Sequence, residues 1–278
     1  MLDLMYITNN PEIAQIAEKA GVDWIFVDME FIGKELRQGG MDTVQNHHTV
    51  DDVANIKAAI SYAKVMVRVN PIHDKLIDYP SSCDEIDSVI SAGADIVMLP
   101  FFKTVEEVEH FIKIVDGRAK VCLLVETPEA ATLLEDIVEI PGIDMIHFGL
   151  NDMHLALGMK FMFQLLADKS VDQWVRIVRR KGIRYGFGGL ASMDAGAVPG
   201  RMILKEHYRL GSQMVILSRV FCNTDKITDR TEVCKIFTQG IAEIRELENE
   251  MENMTQDEFT MNHKAVCAAV ERIVKGKN

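Results

Sequence analysis

A single (β/α)₈ barrel with extra C-terminal helices is the fold this sequence predicts. Three observations carry the prediction: eight short apolar runs, amphipathic segments between most of them, and glycines at the joints that end those segments. The runs span residues 4–8, 24–28, 64–69, 96–100, 121–126, 145–150, 183–187 and 214–218. They are too uniformly apolar for one-sided sheets, so they read as parallel strands covered on both faces. Eight such units in 278 residues suit a closed barrel.

Along the chain, helix-like spacing covers residues 11–20, 51–63, 83–92, 105–115, 128–138 and 199–210. Gly21, Gly93, Gly142 and Gly211 each fall between such a segment and the next run, where a left-handed cap is needed. Ala92-Gly93-Ala94-Asp95 and Pro141-Gly142-Ile143-Asp144 look like one repeated joint. The end of the chain differs. Residues 231–254 and 256–274 form two long polar helices, the first with an apolar stripe of Phe237, Ile241, Ile244 and Leu247. The whole chain, 1–278, is expected to be one barrel domain. Its C-terminal helices, 231–278, either pack on the barrel or take part in oligomer contacts.

Composition narrows the function classes. Nearly half the residues, 48%, are apolar, enough for a full core. A net charge of −12 disfavours nonspecific binding to nucleic acid or an anionic membrane. The five cysteines form no C-x-x-C pair, which fits a reducing, cytoplasmic setting. No apolar stretch approaches the roughly 20 residues of a membrane span. Phosphate-loop, serine-hydrolase elbow and H-E-x-x-H motifs are missing from the sequence.

In a barrel of this kind the functional groups lie where strands end. Asp28 and Glu30, Arg68 and Asn70, Lys103, Glu126 and Thr127, Asn151 and Asp152, Gly188 and Gly189, and Ser218 and Arg219 occupy those positions. Glu126 and Asp152 each end an apolar run abruptly. A carboxylate there must reach water, protonate or meet a cation. Two acids from neighbouring strands suit a hard ion such as Mg²⁺ or Mn²⁺. Taken alone, Glu126 could equally cap a helix begun by Pro128.

The segments Trp24–Asp28 with Met29-Glu30, Val67-Arg68-Val69, Gly93 through Pro100 (G-A-D-I-V-M-L-P), Val125-Glu126-Thr127, and 141–158 with its G-x-x-D core resemble the HpcH/HpaI aldolase and citrate lyase family. The resemblance runs from about Ile13 to Phe221. It implies a metal-dependent barrel enzyme that makes or breaks carbon–carbon bonds through a pyruvate enolate. It also implies that Glu126 and Asp152 hold the divalent ion and that Arg68 grips the pyruvate-like oxygens. Homo-oligomers, trimeric or hexameric, go with the family.

Two departures stand out. The aldolases place a histidine directly after the glutamate of the second strand, and this chain has Phe31 after Glu30. They also carry a glutamine where this chain has Leu124. The polar segment 32–49 offers a replacement base in His48, with His47 behind it, and Arg37 and Gln38 as contacts for a second substrate group. Asn151 lies in the metal segment, and Gly188 and Gly189 would let backbone amides approach an anion. Glu206, His207 and Arg209 read as a surface or interface network, and His147 as a satisfied interior group.

The resulting expectation is a lyase of the metal-dependent aldolase type acting on a 2-oxo acid and an aldehyde, with no nucleic-acid or membrane partner. The alternatives are a lyase for a CoA thioester or a phosphoenolpyruvate-like substrate, or a noncatalytic binding barrel.

Overall fold

Strand β1 (Asp3–Ile7) pairs in parallel with β2 (Trp24–Asp28) on one side and with β8 (Met214–Leu217) on the other, so the sheet closes on itself. The computed structural model describes residues 1–33, 46–194 and 196–276. Between β2 and β8 run β3 (Lys64–Arg68), β4 (Ile96–Leu99), β5 (Lys120–Val125), β6 (Met145–Phe148) and β7 (Arg184–Leu190), in sequence order. Every neighbouring pair is parallel, as the continuous apolar runs require.

The outer helices are α1 (Pro11–Ala20), α2 (Val50–Ala59), α3 (Ser82–Ser91), α4 (Val105–Val115), α5 (Pro128–Thr132), α6 (Leu134–Ile137), α7 (Leu150–Ala156), α8 (Gln164–Ala167), α9 (Ser170–Arg180) and α10 (Gly200–Leu210). Local chemistry sets their starts. Asn10, Thr49, Ser81, Thr104 and Thr127 each accept a backbone N–H of the first turn, and Thr49 and Thr104 form full capping boxes with Asp52 and Glu107. Gly21 and Gly211 close α1 and α10 in the left-handed conformation that a side chain would resist.

Three boundaries depart from the sequence expectation. The helix expected over 51–63 stops at Ala59, because Ile60 turns extended. The segment 128–138 is two short helices joined at Leu133, whose φ of −88° and ψ of 6° leave the helical well. The β7 strand continues past Phe187 through Gly188 and Gly189 to Leu190, with a register irregularity against β8 between Gly186 and Gly189.

Inside the barrel, side chains alternate, so the residue two beyond an inward apolar one faces the C-terminal mouth. Phe26, Met66 and Leu124 fill the interior together with Met5, Met98 and Met214. Two residues on from the first three stand Asp28, Arg68 and Glu126. The strand register that packs the core thereby delivers the polar groups.

Helix α11 (Arg230–Met251) buries Val233, Phe237, Ile241, Ile244 and Leu247 in the main core and lies on α1. The predicted stripe thus packs on the barrel itself. Helix α12 (Gln256–Gly276) lies against α8 and α10 and buries Val266 and Val270. Glu206 and His207, expected in a surface or interface network, are fully buried within the chain. Glu206 accepts from Arg209 Nε at 2.8 Å and Asn262 Nδ2 at 3.1 Å and pairs with His263 Nδ1 at 2.9 Å, which ties α10 to α12 within the chain. Among the described residues no helix is long and apolar enough to cross a membrane.

Candidate active site at the barrel mouth

A cavity of about 350 Å³ opens at the C-terminal ends of the strands. Asp28, Arg68, Glu126, Asp152 and His48 all line it, as do Asn151, Gly188 and Gly189. Eight of the sequence-predicted site residues therefore meet in one place. Arg37 and Gln38 lie outside the described residues.

Arg68 is held by two acids from β2 and its end. Its Nε and Nη2 donate to the two carboxylate oxygens of Asp28 at 2.7 and 2.8 Å, and Nη1 lies 3.3 Å from Glu30. Burial opposes the guanidinium charge, but Asp28, Glu30 and Glu126 together hold Arg68 well above its ordinary pKa. Asp28 also accepts from Asn46 Nδ2 at 2.8 Å. The fork is thus aimed by its own acids before any ligand arrives.

Glu126 stands one residue past β5 and is 2% exposed. The cap of α5 is Thr127, which accepts from Ala130 N–H at 3.1 Å, so Glu126 is not needed for that duty. Instead its Oε1 accepts from the backbone N–H of Phe101 at 3.1 Å. Phe101 has φ of 48°, a left-handed conformation that costs a non-glycine residue about 1 kcal/mol or more. Opposite, Gly149 leaves space: a Cβ there would come within 2.8 Å of Glu126 Cβ and Oε2. Neither support was foreseeable from spacing alone, although the G-x-x-D motif does contain that glycine.

Asp152 sits half-buried in the first turn of α7, where the helix amide ends favour a carboxylate. His154 is buried, and its Nδ1–H points to the Asn151 carbonyl, so it serves the helix. Asn151 is exposed at the rim.

His48 is oriented by the main chain. Its Nδ1 accepts the Asp28 N–H at 3.0 Å, so the neutral ring carries its proton on Nε2. His147, inside β6, is 1% exposed and donates from Nε2 to the Gly188 carbonyl at 3.0 Å, while Nδ1 finds no partner among the described residues. It pins the irregular end of β7 beside the cavity. Burial pushes its pKa down to about 4, with Arg68 adding to the effect. Its expected satisfaction is therefore only half realised.

Asp28 and Glu30 clamp Arg68, and Glu126 and Asp152 line the same cavity. Among the described residues no three His, Cys, Asp or Glu side chains gather as ligands, so a metal would rest on Glu126 and Asp152 plus water or substrate oxygens. An all-oxygen pair with open positions fits Mg²⁺ or Mn²⁺ and not a closed zinc site.

A family model described as HpcH/HpaI aldolase/citrate lyase matches residues 4–183. The chain belongs to the HpcH/HpaI aldolase/citrate lyase family. Membership indicates an enzyme of the aldolase or lyase type, in a family whose members are generally dependent on a divalent metal. Solved structures share the fold at low identity. The HpcH/HpaI aldolase from Desulfitobacterium hafniense DCB-2 is 17% identical with a TM-score of 0.57, covering 78% of this chain and 86% of that one. An HpcH/HpaI aldolase/citrate lyase family protein from Burkholderia cenocepacia J2315 is 16% identical, with a TM-score of 0.59 and coverage of 83% and 93%. The citrate synthase SbnG is 17% identical, with a TM-score of 0.57 and coverage of 88% and 94%. No curated protein matches the chain.

Proposed function

We propose that this HpcH/HpaI family member is a divalent-metal-dependent carbon–carbon lyase that joins a pyruvate-like 2-oxo acid to an aldehyde, or cleaves the product, through an enolate. The observation that carries this reading is that Glu126 and Asp152, from consecutive strand ends, line the same cavity as the acid-clamped Arg68. A bound Mg²⁺ or Mn²⁺ would polarise the 2-oxo acid and stabilise negative charge on its oxygens.

The chain's own groups would do the rest. Arg68 keeps N–H bonds beyond those given to Asp28 and Glu30, and these would orient the carboxylate and keto oxygens. Loss of a C3 proton to water yields the enolate; C3 then attacks the aldehyde carbon, the carbonyl pair moves to oxygen, and water returns a proton there. Cleavage runs the same steps backward. His48, with its proton on Nε2, would donate to that developing oxyanion. Acting as a base instead would require it to release the Asp28 N–H. Leu124 and Met98 keep the floor dry.

A cavity of this size suits two small molecules. That favours the aldol reading over a CoA thioester. The test is turnover of pyruvate with a panel of small aldehydes. Product should form only with Mg²⁺ or Mn²⁺, and Glu126→Gln should abolish it; metal-independent turnover, or none with any aldehyde, would overturn the proposal.

A further inference from the structure

Away from the barrel mouth, a second cluster of titratable groups joins α10 to α12. The fully buried Glu206 on α10 faces His263 Nδ1 on α12 at 2.9 Å. A carboxyl acceptor at Nδ1 places the ring proton there and leaves Nε2 bare in the neutral imidazole. That bare nitrogen lies 3.7 Å from Cys267 Sγ, four residues further along the same helix. Acid, imidazole and thiol thus stand in the order that activates a nucleophile. From this geometry we infer that Cys267 is a thiol–disulfide exchange site for small disulfides, with His263 as its base and Glu206 as the residue that positions the ring.

Packing alone does not call for the thiol. Arg209 Nε and Asn262 Nδ2 already donate to Glu206 at 2.8 and 3.1 Å, and Arg209 makes a two-pronged pair with Asp172 of α9 at 2.7 and 3.0 Å. The helices are therefore tied without Cys267. Its other acceptor, the Ala167 carbonyl at the end of α8, is 3.9 Å away, and a thiol is a weak donor to either partner. Access differs among the cysteines as well. Cys122 and Cys222 are buried, whereas Cys267 keeps part of its surface open.

Burial, and after it the Glu206 charge, push the Cys267 thiol above its ordinary pKa, and Arg209 and Lys169 offset only part of this. Cys267 thus holds little standing thiolate at neutral pH. Its reactivity comes from a base that takes the proton as the sulfur attacks, and Nε2 of His263 is in place to do so. In the exchange, Sγ–H gives its proton to Nε2 while Sγ attacks one sulfur of R–S–S–R. That S–S bond breaks as the bond from Sγ to the attacked sulfur forms. The departing RS⁻ takes the proton from His263 and leaves as RSH. The disulfide is the oxidant: Cys267 is oxidised to the mixed disulfide and the departing sulfur is reduced.

The experiment treats the full chain with 2-hydroxyethyl disulfide at neutral pH, quenches with N-ethylmaleimide and follows each cysteine by peptide mass spectrometry. Cys83 and Cys234, both exposed, are the internal references. Cys267 should exchange faster than both, although it is less exposed than either. Failure to outpace both overturns the site. The His263→Gln side chain can still donate to Glu206, and this variant should slow Cys267 about 10-fold or more while leaving Cys83 and Cys234 unchanged. A purely structural His263 predicts the opposite sign, because a loosened α12 would expose the sulfur. An unchanged or faster Cys267 in His263→Gln therefore overturns the proposal. The wild-type comparison decides the matter by itself if that variant does not fold.

Discussion

Arg68 and Asp28 meet in a two-pronged ion pair, Nε to Oδ1 at 2.7 Å and Nη2 to Oδ2 at 2.8 Å, with the Asp28 side chain fully buried. Adjacent strand positions 28 and 68 are in direct register between β2 and β3, so the pair also staples the mouth of the barrel. Asp28→Asn removes the charge that holds the fork. Glu30 and Glu126 remain beside Arg68, but breaking its two-pronged buried pair costs about 3 kcal/mol. Urea denaturation should register a loss of that order at neutral pH, together with a drop in turnover of at least about 100-fold. A variant as stable and active as wild type would show the clamp to be unimportant.

Gly149 offers a more selective probe. A methyl group at that position would press on Glu126 Cβ and Oε2 at 2.8 Å and on Leu124 Cδ1 at 3.3 Å. Gly149→Ala should therefore weaken Mn²⁺ binding by about 10-fold or more, read by electron paramagnetic resonance titration. Stability should change less than for Asp28→Asn. Undiminished Mn²⁺ affinity would mean that Glu126 does not hold the ion.

His48 is expected to work as a donor. The Gln side chain can place an N–H near Nε2, so His48→Gln should keep more activity than His48→Ala, which should lose about 10²- to 10³-fold in kcat. Equal losses in both variants would argue that the ring's second nitrogen matters instead.

Stability should depend on two buried histidines. Burial pushes His147 down to about 4; it also pushes His207 down to about 3, with His147 adding to the effect. Both rings are therefore neutral in the folded chain at pH values where the unfolded chain, near 6.5, already binds a proton. Their contribution is complete above about pH 6.5 and is lost as pH falls toward 4. At pH 5 each should cost about 2 kcal/mol relative to pH 7.5. His147→Gln keeps a donor for Gly188 but does not titrate, and it should flatten its share of the decline in urea midpoints. A decline as steep as wild type would assign the acid sensitivity elsewhere.

Much of the fold was legible because local signals agreed. The β2 run, α1 and α4 fall where the apolar runs, the caps and the helical spacing coincide. The glycines at 21, 93, 142 and 211 all take positive φ, as their joints demanded. Other features are not written in local pattern. Gly188 and Gly189 have no strand propensity, yet the β8 ladder, which pairs Gly189 with Ile216 and Leu190 with Leu217, and the His147 contact carry β7 through them. Glu206 and His207 have the polar spacing of a solvated helix face, and only the packing of α12 shows that they are buried. At the site, the strand-end acids and Arg68 followed from where each run stops. The clamp on Arg68, the tautomer of His48 and the Phe101 amide on Glu126 depend on which strands lie side by side, and that register is a property of the closed sheet.

The most direct measurement of the central claim is exchange of pyruvate C3 protons with solvent, followed by NMR with and without Mn²⁺ or Mg²⁺, on wild type and Asp152→Asn. Exchange that requires the ion and is lost in Asp152→Asn is the predicted result. Failure to exchange despite measurable Mn²⁺ binding, or exchange that persists without Asp152, would contradict an enolate formed at Glu126 and Asp152.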